Sequence, residues 1–278
     1  VNTIKNGKPI NHDQRVVSYD EFIDRDLVYF SIADTTRSIP SVVDGLKPSQ
    51  RKVLFACRKR SNTEIKVSQL AGYISTETSY HHGEQSLMST VITMAQNFAG
   101  SNNVNLLAPL GQFGTRLMGG KDHASPRYIF TRLTEDSLRL FSKYDDPLLD
   151  YLDDDGTPIE PRHYVPVLPV ILLNGGEGIG TGYSCSVPCY NPEDVASAVK
   201  KVVRGEPIGI IKPWYRGFSG DIVENENKNG YISIGRYAIK NKNTIEITEL
   251  PVGRWTQDYK EFLEKNTQLV TDFENRKI

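Results

Sequence analysis

The stretch GQFGTRLMGGKDHASP, residues 111–126, constrains this chain more than any other. It holds four glycines and ends on a proline, a composition that weakens helices and strands alike and favours turns. The stretch must be largely loop, and the segment after it, RYIFTRL, alternates and is β-prone. On a regular strand Arg127 and Tyr128 would point to opposite faces. Pro126 and the upstream glycines permit an irregular backbone from which both reach one ligand. Tyr128 therefore has two readings, a packed aromatic or a nucleophile. An ordinary tyrosine ionises near pH 10, which puts its phenolate about 4 kcal/mol uphill at neutral pH, so a nucleophilic role needs help. Arg127, Lys121 or Arg116 could stabilise an oxyanion or a phosphate. The adjacent His81 and His82 could accept a proton or bind phosphate.

Around this loop the chain divides into two unlike parts. Residues 1–15 are polar and aperiodic and read as a linker or tail. Ser18-Tyr19-Asp20-Glu21 is a capping box that starts a helix carrying Ile23, Leu27 and Phe30 on one face. Pro40 and Gly45 break it, and Pro48 opens a second helix, giving helix, turn, helix. A further amphipathic helix runs from Gly83 and is closed by Gly100, and Thr134 caps a short one through Leu140. The acidic, turn-rich DDPLLDYLDDDGTP, residues 145–158, reads as a boundary. Beyond it, YVPVLPVILLNGGEGIGTG reads as a buried strand entering a glycine loop. Asn191 caps a helix that Gly205 ends, and GDIVEN, YISIGRYAI and TIEITEL read as strands joined by the turns Asn229-Gly230 and KNKN. The expected fold is α+β, a helix-turn-helix domain over 16–160 followed by an α/β domain with antiparallel strands over 161–278.

Charge gives only a local signal. The net charge is −1 and 24% of residues are charged, so nothing global announces nucleic acid. Between Arg37 and Lys66, however, eight basic residues (Arg37, Lys47, Arg51, Lys52, Arg58, Lys59, Arg60, Lys66) face two acids, Asp44 and Glu64. Such a helix-turn-helix could neutralise phosphates or present a solvated face. Three cysteines, Cys57, Cys185 and Cys189, lack metal-ligand spacing and point to a reducing, intracellular setting. No apolar run is long enough for a membrane helix, and no signal-peptide pattern opens the chain. It begins at Val1 and stops inside DFENRKI, which reads as a fragment. GGEGIGTG fits no GxGxxG register and no GxxxxGK[ST] motif occurs, leaving a glycine loop that presents Ile179 as a core residue or as a wedge between base pairs. YHHGE lacks the neighbours of a metal site, and Asp153-Asp154-Asp155-Gly156 reads as a surface turn.

Taken together, RSIPSVVDGLKPSQRKVLF, YHHGEQSLM, AQNFAGSNNVNLL, GQFGTRLMGGKDHASPRYIFT, NGGEGIGTGYS and ITELPVGRWTQ resemble the DNA-cleavage core of the type IIA DNA topoisomerases. The two adjacent histidines, which bacterial gyrase relatives separate by a residue, favour the eukaryotic topoisomerase II branch. The resemblance implies that Tyr128 attacks a backbone phosphate to form a 5′-phosphotyrosyl bond, with Arg127 stabilising the transition state. It also implies that Arg37 and His82 approach the scissile phosphate and that Lys47 and Arg51 hold the DNA backbone, with Ile179 entering the duplex and bending it. His81, Arg116 and Lys121 join the expected DNA-binding set. A winged-helix domain followed by a tower domain, a homodimer, a nuclear location and double-stranded DNA as partner are implied as well. So are Mg²⁺, held in a Toprim domain, and ATP, held in an ATPase domain, neither of which this chain contains. Alone it should bind DNA but not cleave efficiently. Gln85 and Gln96 fall where relatives line a pocket for cleavage-stabilising drugs.

Overall fold

A computed structural model describes residues 10, 13–226 and 230–266. Its first rod joins α1 (Tyr19–Phe22), a π-helical segment (Ile23–Leu27) and α2 (Val28–Ser38). The Ser18 hydroxyl accepts the Glu21 amide at 3.2 Å to cap its start. The rod stops before Pro40 and buries no residue in α1 or α2. After the turn, α3 (Pro48–Lys59) starts on a proline whose missing N–H costs nothing there. The Gln50 side chain accepts the Lys47 amide at 2.9 Å. β1 (Ile65–Lys66), α4 (Val67–Thr78) and α5 (Glu84–Ala95) follow. α5 ends well before Gly100 because side-chain amides take over its last carbonyls: Asn105 donates to Ala95 O at 2.7 Å and Asn102 to Thr93 O at 2.8 Å.

The remaining elements are β2 (Phe130–Thr131), α6 (Glu135–Leu140), a 3₁₀ segment (Lys143–Leu148), β3 (Tyr151–Asp154), β4 (Thr157–Pro161), α7 (Val170–Leu173), β5 (Gly176–Gly180) and β6 (Tyr183–Val187). Then come α8 (Pro192–Val203), β7 (Asp221–Glu224), β8 (Tyr231–Ile234), β9 (Arg236–Asn241), β10 (Thr244–Glu249) and α9 (Thr256–Lys265). The strands pair antiparallel, two at a time. The core lies where α3, α4 and α5 meet, with Val53, Leu54, Leu70, Ile74, Leu87 and Val91 fully buried, each such side chain contributing about 1.5–3 kcal/mol. It continues through Ile129, Leu133 and Phe141 and across residue 160 to Leu173 and Val195.

Two expectations are corrected. The apolar run after Tyr164 is not a strand: α7 forms after Pro169, because Pro166 and Pro169 cannot donate to a ladder. The glycine loop is a β-hairpin, β5–β6, turned by Thr181 and Gly182. The acidic, turn-rich segment forms a hairpin, β3–β4, turned by Asp155 and Gly156, both at positive φ. Caps at Thr134 and Asn191 lie where expected. Of the turn at Asn229-Gly230, Asn229 lies outside the described residues.

Candidate nucleic-acid interface

Tyr128 sits on a turn rather than a strand. Its amide donates to Ser125 O at 2.9 Å, and the regular strand begins only at Phe130, so Arg127 and Tyr128 are free of strand alternation. The mount below them is rigid. Ile129, 1% exposed, plugs the core and accepts the Val67 amide at 3.0 Å, while Pro126 O accepts the Ser68 amide at 3.2 Å. Phe130 exchanges amide bonds of 2.9 and 3.1 Å with Leu110 on one side and pairs with Lys66 on the other. Tyr128 itself is 71% exposed, and its hydroxyl has no hydrogen-bond partner among the described residues. Tyr164, 3% exposed, is the opposite case: burial pushes its phenol far above the usual range, the nearby Arg58 only partly offsetting it.

The loop leading to this turn is ordered by short polar contacts. Thr115 donates its amide to Asp122 at 2.8 Å and its hydroxyl at 2.5 Å. Burial raises the Asp122 carboxyl, but these bonds outweigh it and hold the group below its ordinary value. The Gln96 amide donates to Phe113 O and Gly120 O at 2.9 and 3.2 Å. Gly119 must be glycine, since at φ +61° an added methyl would sit 2.3 Å from Trp255 Nε1. Lys121 stays exposed on this loop.

His81 and His82 share the support of α4. The Tyr128 turn is fastened at its first turn, and the histidine segment folds back along it: a methyl at Gly72 would lie 3.7 Å from Glu84 Oε1. Both imidazoles are exposed, and the His82 ring meets Tyr80 edge-on at 5.4 Å.

Arg37 and Ile179 form a second group. Arg37 is exposed in the last turn of α2, against which β5 lies backbone to backbone. A methyl at Gly178 would be 2.2 Å from Ser38 O and one at Gly180 2.9 Å from Thr35 Cα. With glycines on the inner side, strand alternation sends Ile179 outward, where it is 84% exposed. Asp34 Oδ2 accepts both the amide and the hydroxyl of Thr181, each at 2.8 Å. Lys47, half-buried at the start of α3, lines with Glu177 and Tyr231 an open groove of about 1120 Å³ beside the hairpin.

Part of the basic cluster turns inward. Arg51, 6% exposed, is held bidentately by Asp44 at 2.6 and 2.9 Å and donates to Leu46 O, so it braces the α2–α3 turn and is not available to a phosphate. Lys52 pairs with Glu160 and Arg58 with Asp146, whereas the exposed Lys59 pairs with Glu77 at the surface. Arg116 is likewise internal: it pairs with Glu249 and donates to Leu250 O at 2.6 Å, tying the glycine loop to β10. Gln96 is buried and engaged, whereas Gln85 is exposed. Sequence reasoning missed α4, and it missed the holding roles of Asp34, which lies outside the quoted motifs, and of Asp44, Asp122 and Thr181, which lie within them.

Residues 37–276 match the family model of DNA gyrase and topoisomerase IV, in the branch that describes their A subunits. The chain is 50% identical over 274 residues to DNA topoisomerase 2 of Plasmodium falciparum, covering 98% of this chain and 19% of that protein. It is 53% identical to DNA topoisomerase 2 of Arabidopsis thaliana, covering 95% and 18%, and 51% identical to human DNA topoisomerase 2-alpha, covering 92% and 17%. It therefore spans about a fifth of the length of the curated relatives it matches. A crystal structure of the Plasmodium falciparum topoisomerase II DNA-binding, cleavage and re-ligation domain superposes with a TM-score of 0.87 at 50% identity, covering 95% of this chain and 36% of that one. With most of its length matched, the chain belongs to the DNA gyrase/topoisomerase IV family, beside the eukaryotic DNA topoisomerases 2.

Proposed function

We propose that this chain is the DNA-binding and cleavage part of an ATP-dependent type IIA DNA topoisomerase, which cuts both strands of a duplex, passes another through and reseals the break. The observation that carries this reading is Tyr128, exposed and unbonded beside the exposed Arg127 on a turn anchored by a buried residue. A tyrosine kept for packing would be covered. In the reaction Tyr128 Oη attacks a backbone phosphorus, and the bond to tyrosine forms as the bond to the 3′ oxygen breaks. The phenol gives up its proton and the departing 3′ oxygen takes one up. Arg127 offsets charge on the phosphate. A phenolate leaves more readily than an alkoxide, so the 3′ hydroxyl can reverse the step without external energy.

Arg37 and His82 face the scissile phosphate, His81, Lys47 and Lys121 hold the backbone, and Ile179 wedges into the duplex. Residues 16–160 act as a winged-helix unit and 161 onward as the tower. Each protomer cuts one strand, so the working unit is a homodimer on double-stranded DNA, and we assign its work to the nucleus. Among the described residues no three His, Cys, Asp or Glu side chains converge as a metal site requires. We assign Mg²⁺ to a Toprim domain and ATP to an ATPase domain, both outside this chain. The test supplies the Toprim region, Mg²⁺ and a nicked duplex and traps covalent protein–DNA adducts with denaturant. Wild type should trap DNA and Tyr128→Phe should not; equal trapping by both would make Tyr128 a packing residue.

A further inference from the structure

The hairpin β5–β6 is attached to the rest of the molecule at two places of unlike character. Its base is embedded: a methyl on Gly176 would meet Ile171 Cδ1 at 2.7 Å and Pro40 Cγ at 2.8 Å. Its tip rests on the surface of α2, where Gly180 packs on Thr35, Thr35 Oγ1 donates a long bond to Thr181 O at 3.5 Å, and the short bonds are the pair from Thr181 to Asp34 Oδ2, each 2.8 Å. Asp34 lies one helical turn before Arg37 on the same helix, and Thr181 lies two residues after Ile179. One carboxylate therefore joins the helix that presents an exposed arginine to the hairpin that presents an exposed isoleucine.

We infer that Asp34 is a positioning residue that locks the Ile179 wedge to the Arg37 helix, so that entry into the duplex and contact with the phosphate occur in one fixed geometry. The inference rests on the reading of Ile179 as a wedge. A hairpin whose tip is held only by van der Waals packing and one long bond slides along α2 when a duplex pushes on it, and the load of prising apart a base step then swings the wedge aside. A hairpin held at both ends transmits that load to α2. The two bonds are exposed to solvent and add little to folding, so their contribution is to direction.

The test measures DNA bending by end-to-end energy transfer on a short duplex labelled at both ends, together with affinity and melting, for this chain and its variants. Asp34→Ala loses both bonds and should lose the bend as fully as Ile179→Ala. Thr181→Val keeps only the amide bond and should lose part of it, and Thr181→Ser should restore it. Melting should stay at the wild-type value, and affinity should move by about threefold at most, because the cost of bending and the contacts it permits nearly cancel. If Ile179→Ala loses the bend while Asp34→Ala keeps it, the clamp is overturned and the wedge stands. If wild type and Ile179→Ala bend DNA equally, the wedge fails and the clamp falls with it. If Asp34→Ala loses the bend but Thr181→Val matches wild type and Asp34→Asn also loses it, the carboxylate acts through its charge and the clamp is overturned.

Discussion

Tyr128 and Ile179 are both bulky side chains held out into solvent, yet the molecule supports them in opposite ways. The tyrosine's turn grows from the core. Its next residue is buried, and its strand is bonded on both sides. The isoleucine's hairpin lies on an exposed helix that buries nothing, and glycines bring the two backbones together. On the proposed reading, the group that meets one phosphorus atom sits on a turn fastened to the core, and the group that pushes between bases sits on a lever. Stability and function should therefore be separable at one tip and joined at the other.

The largest effect is expected at Ile129. Truncation to alanine should cost about 3 kcal/mol of stability, seen as a lower denaturant midpoint, and should reduce adduct trapping with it. Unchanged stability would mean the tyrosine's mount is not the core. Next is Gly178→Ala, whose methyl would strike Ser38 O at 2.2 Å, backbone against backbone. Such overpacking should cost about 2 kcal/mol and abolish bending, because the hairpin must lift from α2; a variant that still bends DNA fully would contradict the lever. Ile179→Ala sharpens the contrast from the other side. The exposed side chain should change stability by no more than about 0.5 kcal/mol while the bend is lost, and a large stability loss would erase the distinction between the tips.

What the sequence announces depends on how far its cause lies along the chain. Ser18, Pro48, Thr134 and Asn191 act on neighbouring residues, and the helices they open are where the residues say. α4 lacks a side-chain cap at Lys66 and forms because Leu70, Ala71 and Ile74 bury, which only tertiary packing decides. The β5 glycines read as loop because glycine weakens strands; their reason is the approach of α2, 140 or so residues upstream by the numbering of Ser38 and Gly178. The basic run between Arg37 and Lys66 misleads for the same reason. Its counter-ions Asp146 and Glu160 stand 88 and 108 positions from their partners, so a strong local charge becomes internal ion pairs. The RYIF motif is legible, but its backbone is not: Pro126 makes an irregular turn plausible, whereas the bonds from Val67 and Ser68 that hold it come from another helix.

The smallest expected effect concerns acid, and it falls on the tyrosine's side of the comparison. Burial raises Glu249, but bonds from Ser219 and Arg116 outweigh it, so its carboxyl, like that of Asp122, is held below the ordinary value. A carboxylate whose folded pKa is depressed stabilises the folded form above its unfolded pKa and loses that contribution as pH falls through the folded one. The glycine loop should therefore be tight at neutral pH and loosen only below about pH 4. Gly119 packs on Trp255, so the indole reports the change: its fluorescence should hold from neutral pH to about pH 4 and shift below that. Glu249→Gln should weaken the tie to Arg116 and remove part of the acid response. A tryptophan signal that moves instead between neutral pH and about pH 6 would assign the loop's stability to histidine, not to these carboxylates.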